Sequence, residues 1–544
     1  MTKKLTEHKI VSVLFSITFF VMLFNNAPKL VQANSFGGPF AGNLLVYPLI
    51  ALLVYTLYCR FYKKETFEVP QYGKRFIGVY SAVLVIALIH GFVTYPYYDM
   101  VFQTSVDQSD KMKLIYQWLS QHNIPIKQDS MIVFWMVLRF VKNTILDVVY
   151  CWGIVFLTYA WFKNRDSELF LNYRKSILIG FYIFLVIGII DSIHLAKFDW
   201  ATQLLLIINP FFHPVATDMG WWPRVMLDNQ LRSFFSEPSF VGNYAAFLMP
   251  LIIYQFSQGK HKLIYSLIFA LFVFMIFLTQ ARTAVAIIVV YVALMVLLAL
   301  YTRKWKSLLV IIPSVVIMFF VSVLFISHLV ERADGDYNVT LHYVTNDSVT
   351  AHDNALKHES NATAKSDVSS YKSYVAHTVG SLDKGKKRSN GARYAVMKSS
   401  IRVGLAHPII GVGPGLGTLY LVNNFTSTEA HDYELSNWIK TTETEGILKN
   451  AITSLTEYLT RFAETGFVGL GVFLAPFFYV LVRLLIRMRQ RNNERIHYQL
   501  FLVASLVCGL VTGFNGGFST FPAIWFILGM GLLEIDSKQQ NQIS

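Results

Sequence analysis

Long apolar runs and short polar connectors alternate along this chain. Apolar stretches close to 20 residues recur from one end to the other, at roughly 9–24, 41–59, 76–95, 143–162, 176–195, 238–257, 263–279, 281–301, 308–328, 465–486, 498–515 and 520–535. A backbone inside hydrocarbon must satisfy its own N–H and C=O groups, and about 20 apolar residues in a helix do so while crossing a bilayer. The pattern predicts an all-α, polytopic membrane protein of about twelve transmembrane helices.

Three segments between these runs are too long to be simple connectors. Residues 96–130 hold the helix-like KMKLIYQWLSQHN, whose mixed faces suit a helix lying on a membrane surface. Residues 196–237 contain WATQLLLIINPFF and then HPVATDMGWWPRV. The largest, 329–456, divides the chain into residues 1–328 with nine helices, the loop itself, and 457–544 with three helices and a tail. Its first part is rich in Ser, Thr, Asn and His, the composition of a weakly ordered segment. From Asn390, NGARYAVMKSSIRVGLAHPIIGVGPGLG spaces its apolar residues helically and then meets Pro and Gly, which predicts a short helix ending in a tight turn.

Charge orients the helices. With Lys3, Lys4 and Lys9 on the cytoplasmic side, alternate short connectors are all basic: Arg60 to Arg75, Lys163 to Lys175, Lys260/Lys262, Arg303 to Lys306 and Arg487 to Arg495. The positive-inside rule then puts both termini in the cytoplasm and all three long segments outside. Most of the net charge of +14 is an orientation signal, so it does not call for a nucleic-acid partner. A chain that is 54% hydrophobic and 15% charged is not a soluble protein of this size. No small-residue cleavage pattern follows the first run, which therefore reads as a span rather than a removable signal. Cys59, Cys151 and Cys508 lie in or at the ends of spans with no CxxC, indicating neither a disulfide framework nor a metal site. The sequons at Asn338, Asn346 and Asn361 matter only in a eukaryotic secretory pathway, which nothing in the chain suggests.

Several short motifs invite sharper readings. GVGPGLG (Gly411 to Gly417) lacks the Lys-Ser/Thr of a phosphate loop and the spacing of a dinucleotide fingerprint, so a packed turn is favoured. DGD (Asp334, Asp336) looks like the acidic pair that holds a metal in nucleotide-sugar transferases, but beside a helix end it reads as a solvated turn. Asp147 and Asp191 lie in or near spans, where uncompensated charge is costly, and Arg139, Lys142 and Asp147 are spaced to form one internal structural cluster. The arginines of the outer segments are the strongest signal. Arg224 and Arg232 precede the sixth span, Arg282 lies in the short turn LTQARTAVA, and Arg393 and Arg402 flank the loop helix. A guanidinium stays protonated and grips phosphate through paired donors. Such a set either holds a lipid-linked phosphate or snorkels singly to the interface, and the residues alone leave both open.

LRSFFSEPSFVGNYAAF, LTQARTAVA, GARYAVMKSSIRVGLAHPIIGVGPGLG and YLTRFAETGFVGLGVFL occur in that order around the large loop. They resemble the recurring blocks of the O-antigen ligase/polymerase superfamily of bacterial membrane glycosyltransferases, over roughly residues 225–490; residues 1–200 resemble it only in being helical spans. The resemblance implies a GT-C-like helical glycosyltransferase of the bacterial plasma membrane. It would take an undecaprenyl-pyrophosphate-linked glycan as donor and need no nucleotide sugar, metal or cofactor. Ligases usually carry a His-Asn pair just before the last block, and here Leu455 and Thr456 stand there. That favours a Wzy-type polymerase joining lipid-linked repeats into a surface polysaccharide, with ligase-type transfer as the alternative. Implied partners are the bilayer, the lipid-linked substrates, and a flippase and chain-length regulator of the same pathway. Under this reading Arg232 and Arg282, with Arg393 or Arg402, stabilise the departing pyrophosphate. Glu237 takes the acceptor's proton, and Arg224, His431 and Glu464 are further substrate-binding candidates. A glycan flippase is the competing class, disfavoured by the mass placed in one loop. A membrane acyltransferase would need a partner motif at His90 or His194, and neither has one.

Overall fold

Hydrocarbon-length apolar runs leave the backbone little choice, and among the described residues every extended regular element is an α-helix. The computed structural model describes residues 2–24, 43–213, 225, 230–259, 261–333, 390–490 and 494–537. The helices are α1 (Thr2–Val21), α2 (Val46–Phe61), α3 (Gln71–Thr94), α4 (Tyr98–Phe102), α5 (Asp110–Gln121), α6 (Gln128–Phe162), α7 (Asp166–Leu195), α8 (Asp199–Ile208), α9 (Pro238–Gln258), α10 (Lys262–Leu278), α11 (Arg282–Thr302), α12 (Leu308–Ala333), α13 (Asn390–Ala406), α14 (Gly417–Asn423), α15 (Ser427–Ala430), α16 (Tyr433–Glu445), α17 (Glu457–Met488), α18 (Ile496–Thr512) and α19 (Ala523–Ser537). Each of the twelve apolar runs falls on one of them. Seven, namely α3, α6, α7, α9, α11, α12 and α17, are long and apolar enough to cross a membrane, and α1, α2, α10 and α18 carry shorter apolar stretches. This is the make-up of a polytopic membrane protein.

Two helices begin ten or more residues ahead of their apolar runs. Helix α6 starts at Gln128 and extends for 35 residues, because Arg139 and Lys142 interrupt the hydrophobic pattern without interrupting the helix. Helix α7 likewise takes in the polar turns from Asp166. The expected helix after Asn390 is α13, and it ends at Ala406 just ahead of Pro408.

Two apolar cores form. The larger joins the long helices, with Phe15, Tyr173, Phe181, Tyr244, Phe272, Phe477 and Trp525 buried in it. The smaller is a cap in which the segments around 95–140 and 390–463, far apart in sequence, pack together through Tyr95, Met112, Met136, Phe140, Val396, Leu416, Leu435 and Leu448. The side-chain oxygen of Gln108 accepts the Leu448 backbone N–H at 3.2 Å across this junction. Helices α5 and α8 turn Leu114, Ile115, Trp118, Trp200 and Ile207 outward, as helices lying along a bilayer surface do.

Ion pairs gather at the other end of the bundle. Arg495 meets Asp166 and, at 3.0 Å, Glu534; Lys163 meets Glu68; Arg165 meets Glu168 at 2.5 Å. His8 contacts Arg165, and Tyr159 donates to Asp536. The basic connectors after α2, α6 and α17 thus share an end with the start of α1 and the finish of α19. Cys59, Cys151 and Cys508 are buried in α2, α6 and α18 and form no disulfide.

Candidate functional site at the capped end

The segment before α9 and the turn between α10 and α11 are built as one unit. The Leu231 N–H donates to the Leu278 carbonyl at 3.0 Å, and Gly242 in the second turn of α9 lies against the backbone of Ala284 in α11. Both helices therefore point their N-termini at the capped end, with Glu237 as the N-cap of α9 and Arg282 as the first residue of α11. Unpaired N–H groups and the helix dipole make such ends favourable for anions.

Arg232 does not stand at an open border, as the sequence suggested. It is 1% exposed, and its Nη1 donates to the Ser236 carbonyl at 3.1 Å. Asp191 of α7 holds the same turn by accepting the backbone N–H groups of Arg232 and Ser233 at 2.9 and 2.8 Å. Burial lowers the Arg232 guanidinium to about 10, against the opposing pull of Asp191, so it stays charged at neutral pH. Its place is inside the turn that positions α9.

Arg282 instead lies within electrostatic reach of Arg393, in the first turn of α13, so the two charges repel. Arg282 is half-buried, Arg393 is exposed, and among the described residues neither is paired with a carboxylate. Like charges near each other beside helix N-termini create a potential that favours an anion. Glu237 is at the same end of the α9–α11 pair, half-buried, and its Oε2 accepts the Ser239 hydroxyl at 3.2 Å.

The remaining candidates separate from this pair. Arg402 is tied to Glu429 at 2.5 Å and to the Asn424 carbonyl at 3.0 Å, so it fastens α13 to the α14–α15 turn. Glu429 is part of a capping box with Thr426. Its burial favours the neutral acid, but the Arg402 and Thr426 donors outweigh this and hold its carboxyl below the usual range. His431, exposed, donates from Nδ1 to the Ser427 carbonyl of its own turn. Arg224, Asp334, Asp336 and the three sequons lie outside the described residues.

Glu464 sits toward the opposite end of α13. Its carboxylate accepts the Gly415 N–H at 2.9 Å, while the Gly413 and Val412 N–H groups bond to the Glu464 and Ala463 carbonyls at 2.9 and 3.0 Å. The GVGPG stretch is thus a packed turn wedged against α17. Helix α17 breaks at Gly466, whose φ is +66°, and Gly411 (φ +75°) faces it. A side chain on Gly411 would collide with the Glu464–Thr465 peptide, and one on Gly466 with the Ile409 carbonyl. Neighbouring Gly404 packs on Phe462, so Glu464 and Arg393 are separated by roughly 16 Å of helix rise along α13.

Sequence reasoning missed Arg461. It bridges Asp147 of α6 at 2.6 Å and Glu457 at 2.7 Å, and its guanidinium lies 5.0 Å from the centre of the Phe473 ring. Glu457 also accepts the Phe518 N–H at 3.0 Å, which ties in the α18–α19 turn. Asp147 therefore pairs across helices, not with Arg139 or Lys142 of its own helix. The signal was available: an arginine four residues after a glutamate at the edge of a hydrocarbon-length run needs internal partners. Leu455 and Thr456, in the place of the ligases' His-Asn pair, open this helix. Thr456 is buried, and its hydroxyl caps the Leu459 N–H at 3.1 Å.

Residues 267–474 match the family model described as O-antigen ligase. The match runs from α10 into α17 and takes in Arg282, Arg393, Arg402, His431 and Glu464, but not Arg232 or Glu237. It supports the O-antigen ligase/polymerase superfamily, and with it a glycosyl-transferring membrane enzyme that acts on lipid-linked glycans. No curated protein matches the chain.

Proposed function

We propose that this protein is a Wzy-type polymerase of the bacterial plasma membrane: a GT-C-like bundle of twelve spans, termini cytoplasmic, that joins polyprenyl-pyrophosphate-linked repeats at the outer face. The observation that carries this reading is that Arg282 and Arg393, at the N-terminal ends of α11 and α13, lie within electrostatic reach of each other with no carboxylate partner among the described residues. Pyrophosphate gains negative charge as the glycosidic bond to it breaks, and two fixed guanidinium groups at a membrane border supply the stabilisation that a metal gives elsewhere. The acceptor hydroxyl of a second lipid-linked repeat attacks the anomeric carbon. Glu237, at the same end of α9 and α11, receives its proton, and the pyrophosphate leaves on its lipid. Arg232 contributes by holding the turn from which Glu237 projects.

A ligase is the second reading, favoured by the description of the matching family. The two differ in acceptor. Purified protein given lipid-linked repeats alone forms a ladder of longer glycans if it is a polymerase. Transfer that requires a different acceptor lipid would establish a ligase, and no transfer in either case would overturn the reading.

A further inference from the structure

Four tyrosines meet where α3 enters the cap. The Tyr95 ring packs edge-on against Tyr97, Tyr98 and Tyr420 at 5.7, 5.2 and 5.8 Å, and Tyr97 against Tyr420 at 4.9 Å. The His407 ring lies 5.4 Å from Tyr420, and His90 of α3 is close enough to His407 for their charges to interact. Aromatic packing accounts for the rings but not for their polar atoms. The Tyr95 hydroxyl and His90 Nδ1 are fully buried without a hydrogen-bond partner, and Tyr95 as a whole is 4% exposed. Buried polar groups in native proteins are nearly always satisfied, so these two atoms keep hydrogen-bonding capacity that the protein's own side chains do not use. The Tyr97 and Tyr420 hydroxyls have no partner among the described residues, and Tyr97 is half-buried and so reachable.

We propose that this cluster is a glycan subsite that binds uncharged sugar rings of the lipid-linked repeat. Pyranose rings offer apolar C–H faces to aromatic rings and hydroxyls to phenol and imidazole groups, and both kinds of contact are present here. The cluster brings no arginine or lysine, which separates it from the phosphate-binding pair. Arg393 and His407 are about 20 Å apart along α13, so the sugars would be held well away from the pyrophosphate. This assignment rests on the proposed glycosyltransferase reading.

The test uses full-length protein in lipid nanodiscs, with Tyr97→Phe and Tyr420→Phe, which keep the ring packing, and Tyr97→Ala, which removes it. The probe is oligosaccharide cut from the producing cell's own surface polysaccharide, with binding read by saturation-transfer NMR. Wild type binds it, each Phe variant binds about two- to tenfold more weakly, as the loss of one hydrogen bond allows, and Tyr97→Ala binds least. Farnesyl pyrophosphate, which reads the arginine pair, binds all four proteins alike. Equal fragment binding by wild type and variants, or none by wild type, overturns the subsite; elongation of lipid-linked repeats in the same discs shows whether the glycosyltransferase reading survives it.

Discussion

Arg282 and Arg393, unlike Arg402 and Arg461, have no carboxylate partner among the described residues, and this sets what each substitution should do. A charge-assisted hydrogen bond is worth about 1.5–3 kcal/mol. Arg282→Ala and Arg393→Ala should each lower the rate of glycan transfer roughly 10- to 200-fold with normal protein level, and Arg282→Lys should lie between, since it keeps charge but not the planar donors. Transfer should proceed without added divalent metal; activity lost to a chelator and restored by magnesium would bring the acidic pair Asp334 and Asp336 back into consideration. Arg232→Ala should instead reduce the amount of folded protein, because its side chain is buried in the turn. Arg402 acts through Glu429, whose carboxyl lies below the usual carboxylate range. A depressed folded-state value means the tie is complete at neutral pH and is lost as pH falls through that value. Hydrogen exchange in residues 402–430 should rise on acidification in wild type and already be raised at neutral pH in Arg402→Gln. An Arg402→Gln protein with wild-type protection would contradict this assignment. Arg461→Leu leaves Asp147 and Glu457 uncompensated in a largely buried place, and should cost about 3–5 kcal/mol in unfolding measurements.

Among the elements, α13 and α17 decide how the cap is seated on the bundle. They are joined by the reciprocal fit of Gly411 and Gly466, each with a positive φ and each facing the other's backbone. Gly466→Ala adds a residue-level strain of about 1–3 kcal/mol and a collision with Ile409 on top of it. It should therefore lower thermal stability far more than Gly471→Ala on the same helix, where a Cβ meets nothing within 4 Å. Equal melting temperatures would show that the break is not needed. Part of this was readable in advance. Helical spacing and Pro408 gave α13 and its stop, and the missing Lys-Ser/Thr in GVGPGLG favoured a packed turn over a phosphate loop. What the turn packs against was not readable, since Gly411 meets Gly466 only after the intervening segment has folded back. The same holds for Asp147, whose partner Arg461 lies on another helix, so same-helix spacing pointed to Arg139 and Lys142 instead.

At the scale of the whole molecule, hydrophobic length alone located the helices, because lipid admits few alternatives for the backbone. The cap was hidden from such reasoning: residues 96–130 and 390–456 looked like separate outer loops, and only Tyr95, Met112, Phe140, Leu416 and Leu448 packing together makes them one body. Orientation is directly testable. Thr444→Cys on exposed α16 should react with an impermeant thiol reagent in intact cells, and Gln490→Cys, at the ion-pair end, only after lysis; the three native cysteines are buried and add little background. The reverse pattern would invert the bundle and put the arginine pair in the cytoplasm. Whether Arg282 and Arg393 together hold a pyrophosphate leaving group is decided by reconstituting wild type, Arg282→Ala and Arg393→Ala with lipid-linked repeats and following the glycan ladder over time. Wild type should give a ladder and each variant a rate lower by about one to two orders of magnitude, from loss of one such bond; ladders of equal rate from all three proteins would show that the two arginines do not hold the leaving group.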